Sequence, residues 1–195
     1  MQRQISFRQY RIMDILFFTL LLCLGEWLIV MGATRWFPRE AYTLSLTAAV
    51  TGIVMMRWGV YAALPALAGG AVFCLASGAA GQHFLIFCLG NLLCMALLPL
   101  LRRIGWQRIG QSGGLSMVFG LACCLAMDLG RMIIALCLGH PIPVCLGFLT
   151  TDTLSWLFSA LILWIARRLD GMIEDQKHYL FRIQKEKENE QNRGA

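Results

Sequence analysis

Six apolar runs, parted by short polar breaks or by breaks rich in glycine and proline, divide the chain. They cover residues 12–31, 42–56, 60–77, 84–101, 114–138 and 144–166. A helix of about 20 apolar residues crosses the hydrocarbon core of a bilayer. The pattern therefore predicts a transmembrane helix for each run. The run at 42–56 is short and is closed by Arg57, Trp58 and Gly59. The next run contains Pro65 and the pair Gly69-Gly70. Together these two runs also fit a tight re-entrant hairpin. Trp36, Phe37 and Pro38 read as an interfacial anchor and turn, and Gly139-His140-Pro141-Ile142-Pro143 reads as a double-proline stop. No repeat at a fixed period is visible.

Composition agrees with the pattern. The chain of 195 residues is 58% hydrophobic and 14% charged, with a mean hydropathy of +0.64. A soluble domain carries nearer a quarter of its residues as charges. The formal charge of +6 is not a nucleic-acid footprint, because the basic residues lie between apolar runs and in the tail, not on one face. They do report orientation. Fourteen of the seventeen Lys and Arg fall in the lead, beside Arg57, around Arg102 and in the tail, all on one side of a six-span chain. Arg35 and Arg39 fall on the other side, and Arg131 lies within a span. This bias sets the basic side in the cytoplasm.

The expected fold is thus an all-α integral membrane protein of one domain, a bundle of about six transmembrane helices with both termini cytoplasmic. Residues 1–11 form a cytoplasmic lead, 12–166 the membrane domain and 167–195 a charged, partly helical cytoplasmic tail. The first run carries Glu26 and no small-x-small cleavage site, so it does not read as a removable signal.

Candidate chemistry lies inside the spans. Asp128 and Arg131 share the run at 114–138, three positions apart, so they share a helix face and can pair. Each costs about 2.5–3.5 kcal/mol at a helix centre on insertion scales, so both must turn inward. The orientation puts Glu26, Asn91, Asp128, Arg131 and Asp152 near one level, from mid-membrane outward, with Trp27 and Trp156 beside two of them. Apolar walls with a few converging polar groups make a binding pocket. The alternative is a set of structural ion pairs and helix-packing contacts. Ala62, Ala66 and Gly70 begin a ladder of small residues four apart, continued by Cys74 and Gly78. Such a ladder packs helices within the bundle or docks a partner membrane subunit.

Other functions find little support. Seven of the eight cysteines, Cys23, Cys74, Cys88, Cys94, Cys123, Cys124 and Cys137, fall in apolar runs, where cysteine acts as a small hydrophobe. No CxxC or Cys/His spacing for a metal appears. GxSxG, HExxH and the phosphate loop GxxxxGK[ST] are all missing. The expectation is no enzyme, metal or cofactor. The tail places Leu169, Ile173, Gln176, Leu180 and Ile183 at heptad-like spacing. This suits an amphipathic helix on the inner leaflet, with Arg167, Arg168, Lys177, Arg182 and Lys185 toward anionic lipid, or a helix pairing with a cytoplasmic partner. After Lys185 acidic and polar residues dominate, as in a solvated tail.

The stretch SLTAAVTGIVMMRWGVYAALPALAGGAVFCLASGA, residues 45–79, resembles the substrate-capture (S) components of energy-coupling factor transporters. The layout of residues 10–170 is similar to that family too. The resemblance implies binding of a vitamin or similar micronutrient near the outer face. It also implies docking on a shared membrane coupling subunit that two cytoplasmic ATPases drive. Many members carry an AxxxA pair in the first helix for docking; here Thr19 and Cys23 stand at the nearest equivalent. The chain is also similar in layout to the small multi-span rod-shape determinants, which implies a scaffold whose charges pair with partner helices. A small ion- or proton-coupled carrier using Asp128 and Asp152 is the third reading.

Overall fold

The computed structural model describes residues 6–37, 43–79, 81–169, 171–176, 179 and 181. Among these, every regular element is helical. Five segments are long and apolar enough to cross a membrane: Phe7–Trp36, Thr47–Ser77, Gly81–Ile104, Gly113–Cys137 and Ile142–Ala166. The chain is a multi-pass membrane protein.

Helix α1, Phe7–Trp36, opens on a capping box. The Ser6 hydroxyl accepts from Gln9 N at 3.3 Å, and the Gln9 side chain accepts from Ser6 N at 3.1 Å. Both bonds satisfy amides that the first helical turn leaves without partners. Only one stripe of α1 is buried, through Ile15, Phe18, Thr19, Leu22, Glu26 and Val30. The remaining leucines and phenylalanines face outward, as the low cost of apolar contact with lipid allows.

Helix α2, Thr47–Trp58, is the opposite case: all 12 of its residues are buried. It packs against α1, against α3 (Ala63–Ser77), and against α6 (Gly113–Cys137) and α8 (Thr153–Ala166). Its length is about 18 Å, too short for a core of about 30 Å. Before it, residues 43–46 include no helical turn, and the Ser45 hydroxyl caps it by accepting from Thr47 N at 3.1 Å. After it, Gly59 takes φ +61°, a conformation that glycine reaches without steric penalty. A short 3-10 turn, Gly59–Ala62, follows, and α3 runs back beside α2. The proof of reversal is that Gly69 of α3 stands against the Thr47 side chain at the start of α2. The runs at 42–56 and 60–77 are thus two antiparallel limbs joined by a tight turn, the first of them helical only from Thr47.

Helix α4, Gly81–Ile104, is irregular. It contains a π turn at Leu85–Leu89 and a 3-10 stretch at Leu92–Leu97. Pro99 follows, without an N–H to give to Met95. A short α5, Trp106–Gln111, leads into α6, the 25-residue helix that carries Asp128 and Arg131. The last crossing is broken at Asp152 into α7, Ile142–Thr151, and α8. Glycines set the closest approaches. A Cβ on Gly130 of α6 would fall on the Gly90 carbonyl of α4, and one on Gly120 would lie 2.9 Å from the Ser159 carbonyl oxygen of α8.

At one end of the bundle the first and last described segments meet. Arg57 holds Asp14 through two bonds of 2.8 and 2.7 Å, and donates to the Gly171 and Met172 carbonyls at 2.7 and 3.3 Å. The Trp58 indole also donates to Asp14, at 2.6 Å, and the Tyr10 hydroxyl donates to Gln176 at 3.2 Å. Ile173 and Gln176 are buried here. Residues 167–169 and 171–174 form turns, with Gly171 at φ +67°, and residues 176, 179 and 181 are helical. Lys177, Leu180, Arg182, Ile183 and Lys185 lie outside the described residues, as do Pro38 and Arg39.

Candidate functional site

The site is built on Arg131, which is 6% exposed. Its Nε donates to Asn91 Oδ1 at 2.9 Å, while Nη1 donates to Asp128 Oδ1 at 3.1 Å and to Asp152 Oδ2 at 3.0 Å. The guanidinium carbon lies 4.9 Å from the centre of the Phe87 ring. The expected pairing along α6 is present, and Asp152 joins it from the break between α7 and α8. That break frees the Asp152 carboxylate from a regular helical surface and brings it to the level of α6.

Each partner is held in turn. The Trp156 indole donates to Asp128 Oδ2 at 2.7 Å. Asn91, also fully buried, donates to the Ala66 carbonyl at 3.1 Å. Asp152 Oδ1 accepts from the Thr43 hydroxyl at 3.0 Å and from the Ser155 hydroxyl. Ser155 accepts from Ser45 N at 2.8 Å, and Thr43 N donates to the Thr151 carbonyl at 3.0 Å. Residues 43–46 are thereby bound to the break at Asp152. Non-helical backbone at membrane depth persists only where protein satisfies it, and here two non-helical pieces satisfy each other.

Glu26 joins this layer from α1. It is fully buried, and its Oε2 accepts from Leu46 N at 2.9 Å. Its Oε1 makes no hydrogen bond among the described residues, with the Ser45 side chain nearby. The carboxylate sits just ahead of the N-terminus of α2, where free amides and the helix dipole favour negative charge.

A cavity of about 100 Å3 opens beside this network. Arg131, Asn91, Asp152 and the threonines 43, 47 and 151 supply its polar side. Phe73, Phe87 and Phe148 supply the apolar side, with Gly69 and Gly70. The rings touch one another, Phe73 to Phe87 at 4.6 Å and Phe87 to Phe148 at 5.9 Å between centroids. The volume is below the roughly 300–1,000 Å3 of pockets for drug-sized ligands. It suits a small molecule, or one end of a larger one.

Of the seven residues expected to bind substrate, Asn91, Arg131 and Asp152 line this cavity. Asp128 and Trp156 stand behind Arg131, and Glu26 supports residues 43–46. Trp27 is 46% exposed; one residue on from Glu26, it is turned about 100° round the helix and leaves the cluster. Ala62 and Ala66 are fully buried. Gly70 packs on the Phe87 backbone and the Asn91 side chain. The close approach this ladder permits is therefore to the chain's own helices. Thr43, Ser45, Ser155 and the three phenylalanines were not singled out from sequence. Alternation in Thr43-Leu44-Ser45-Leu46-Thr47 is the signal for the first two, since a two-residue period marks extended chain. Among the described residues no group of three His, Cys, Asp or Glu comes together as a metal-ligand set.

Comparison with models of protein families, with curated proteins and with solved structures finds no match to the chain.

Proposed function

We propose that the protein captures a small polar solute in the cavity beside Arg131 and passes it across the membrane. This is the role of the substrate-capture components that residues 45–79 resemble. One observation carries the reading. Arg131 Nε and Nη1 are engaged by Asn91, Asp128 and Asp152, whereas Nη2 makes no hydrogen bond to a described residue, and Arg131 lines the cavity. A guanidinium held rigidly by three partners, with one nitrogen left for an acceptor, is preorganised for binding. Asp128 and Asp152 more than neutralise Arg131, so the solute is neutral or cationic and offers a carbonyl or hydroxyl oxygen. The charge bias sets the end bearing Asp14 and Arg57 in the cytoplasm, so the cavity lies in the outer half. The chain would work with a membrane coupling subunit and ATPases. That coupling contact uses exposed helix faces, since Ala62, Ala66 and Gly70 lie inside the bundle.

A second reading, a scaffold of the cell-envelope machinery, is favoured by the same network seen differently, because Arg131 already has three internal partners. Native mass spectrometry of protein purified in mild detergent separates the two. A small-molecule adduct that Asp152→Asn weakens about tenfold or more, as loss of a charged hydrogen bond implies, supports capture. Protein that is adduct-free from every preparation and co-purifies with envelope-synthesis proteins refutes it.

A further inference from the structure

A second cavity, of about 250 Å3, opens at the end of the bundle where the first and last described segments meet. Trp58, Tyr61 and Trp106 line it, aromatic residues of the kind that mark the water–lipid boundary. α1 begins there and α4 ends there. Arg11, Arg57 and Arg102 also line the cavity, together with Asp175. Arg57 is already engaged by Asp14 and the carbonyls of residues 171 and 172. Arg11 and Arg102 make no ion pair among the described residues. The Arg11 guanidinium lies 4.3 Å from the centre of the Tyr61 ring, within cation–π range. With Arg57 paired to Asp14, Arg11 and Arg102 are the cations that line the cavity beside Asp175.

Two arginines beside a carboxylate in an aromatic pocket fit a phosphodiester. The surroundings identify its source. Val60, which lines the cavity, and Leu64, in the first turn of α3, are 56% and 46% exposed. They set apolar surface beside the arginines. A free phosphate would have no use for such a wall, whereas the acyl chains of a lipid would lie on it. Basic pockets between helices on the cytoplasmic side are suited to anionic headgroups. We propose that this cavity, between Arg11 on α1 and Arg102 on α4, holds the phosphate of an anionic phospholipid at the cytoplasmic leaflet.

The test is native mass spectrometry of the full chain in detergent, titrated with dioleoylphosphatidylglycerol. Dioleoylphosphatidylcholine is the control lipid and inorganic phosphate the competitor. One phosphatidylglycerol is expected to bind at least about ten-fold more tightly than phosphatidylcholine. Each of Arg11→Gln and Arg102→Gln is expected to weaken it about five-fold, the usual contribution of one surface basic residue toward an anionic leaflet. Asp152→Asn should leave it unchanged. Equal binding of the two lipids overturns the proposal, as does displacement of the lipid by millimolar phosphate, which would mark a free-anion site. Arg102 is exposed, so Arg102→Gln keeps the fold. Should Arg11→Gln not fold, unchanged lipid affinity in Arg102→Gln alone refutes the assignment.

Discussion

Replacing Arg131 by methionine keeps the unbranched stem of the side chain and removes its charged head. One nitrogen, Nη1, contacts Asp128 at 3.1 Å and Asp152 at 3.0 Å. The two carboxylate oxygens are therefore no more than about 6 Å apart, where two like charges at an effective dielectric of about 20 repel by about 3 kcal/mol. Loss of one partner from a buried ion pair costs about 3–5 kcal/mol in general, and the two figures agree. For a chain of this size 1 kcal/mol moves the melting temperature by about 2–4 °C, so Arg131→Met is expected to melt about 10 °C or more below wild type. Asp128→Asn in that background removes one of the two facing charges. Asp152 keeps its bonds from Thr43 and Ser155, so about half of the loss should return. Melting in detergent followed by intrinsic fluorescence measures both. Arg131→Met melting within about 2 °C of wild type refutes the argument. A double variant no more stable than the single one also refutes it, because it would show that the charges do not interact.

Gly130→Ala is expected to destabilise the bundle by about 1–3 kcal/mol or more, because its new methyl meets the Gly90 carbonyl, which is backbone and has nowhere to go. Gly147→Ala, with nothing within 4 Å of the added carbon, should melt at or slightly above wild type; parallel melting curves check the pair. In a cysteine-free background, a cysteine at His140 should react with an impermeant maleimide on intact cells and one at Arg108 should not. The reverse pattern refutes the assigned orientation.

Hydropathy alone locates the long helices, since a stretch such as 114–138 has few options other than to cross. Spacing alone pairs Asp128 with Arg131. The joint between distant pieces is harder to see. α2 is apolar on every side, so its sequence does not say whether it faces lipid or protein, and only its shortness hints at a buried limb. Asp152 looks like any residue of a long helix until the break at its position turns it toward Arg131. Glu26 and Trp27 are neighbours in sequence and yet face different surroundings, which position along the chain cannot reveal without the face of the helix. Asp14 and Arg57 are 43 residues apart; neither has a local signal of the other.

The buried limb has a consequence for biosynthesis. The Thr43 hydroxyl and the Ser45 amide find their partners at Asp152 and Ser155, 109 and 110 residues further on. A ribosome adding roughly 5–20 residues per second takes on the order of 5–20 s to cover that distance. For most of that interval α2 lacks α6, and for all of it α8, and the groups at its start that wait for Asp152 and Ser155 have no place in hydrocarbon. The hairpin of α2 and α3 therefore cannot settle at depth in the order in which it is made. It must wait near the membrane surface, or in the shelter of the insertion machinery, until the last helix arrives. The surroundings of the most enclosed helix, although it is early in sequence, are completed only by the C-terminal α8.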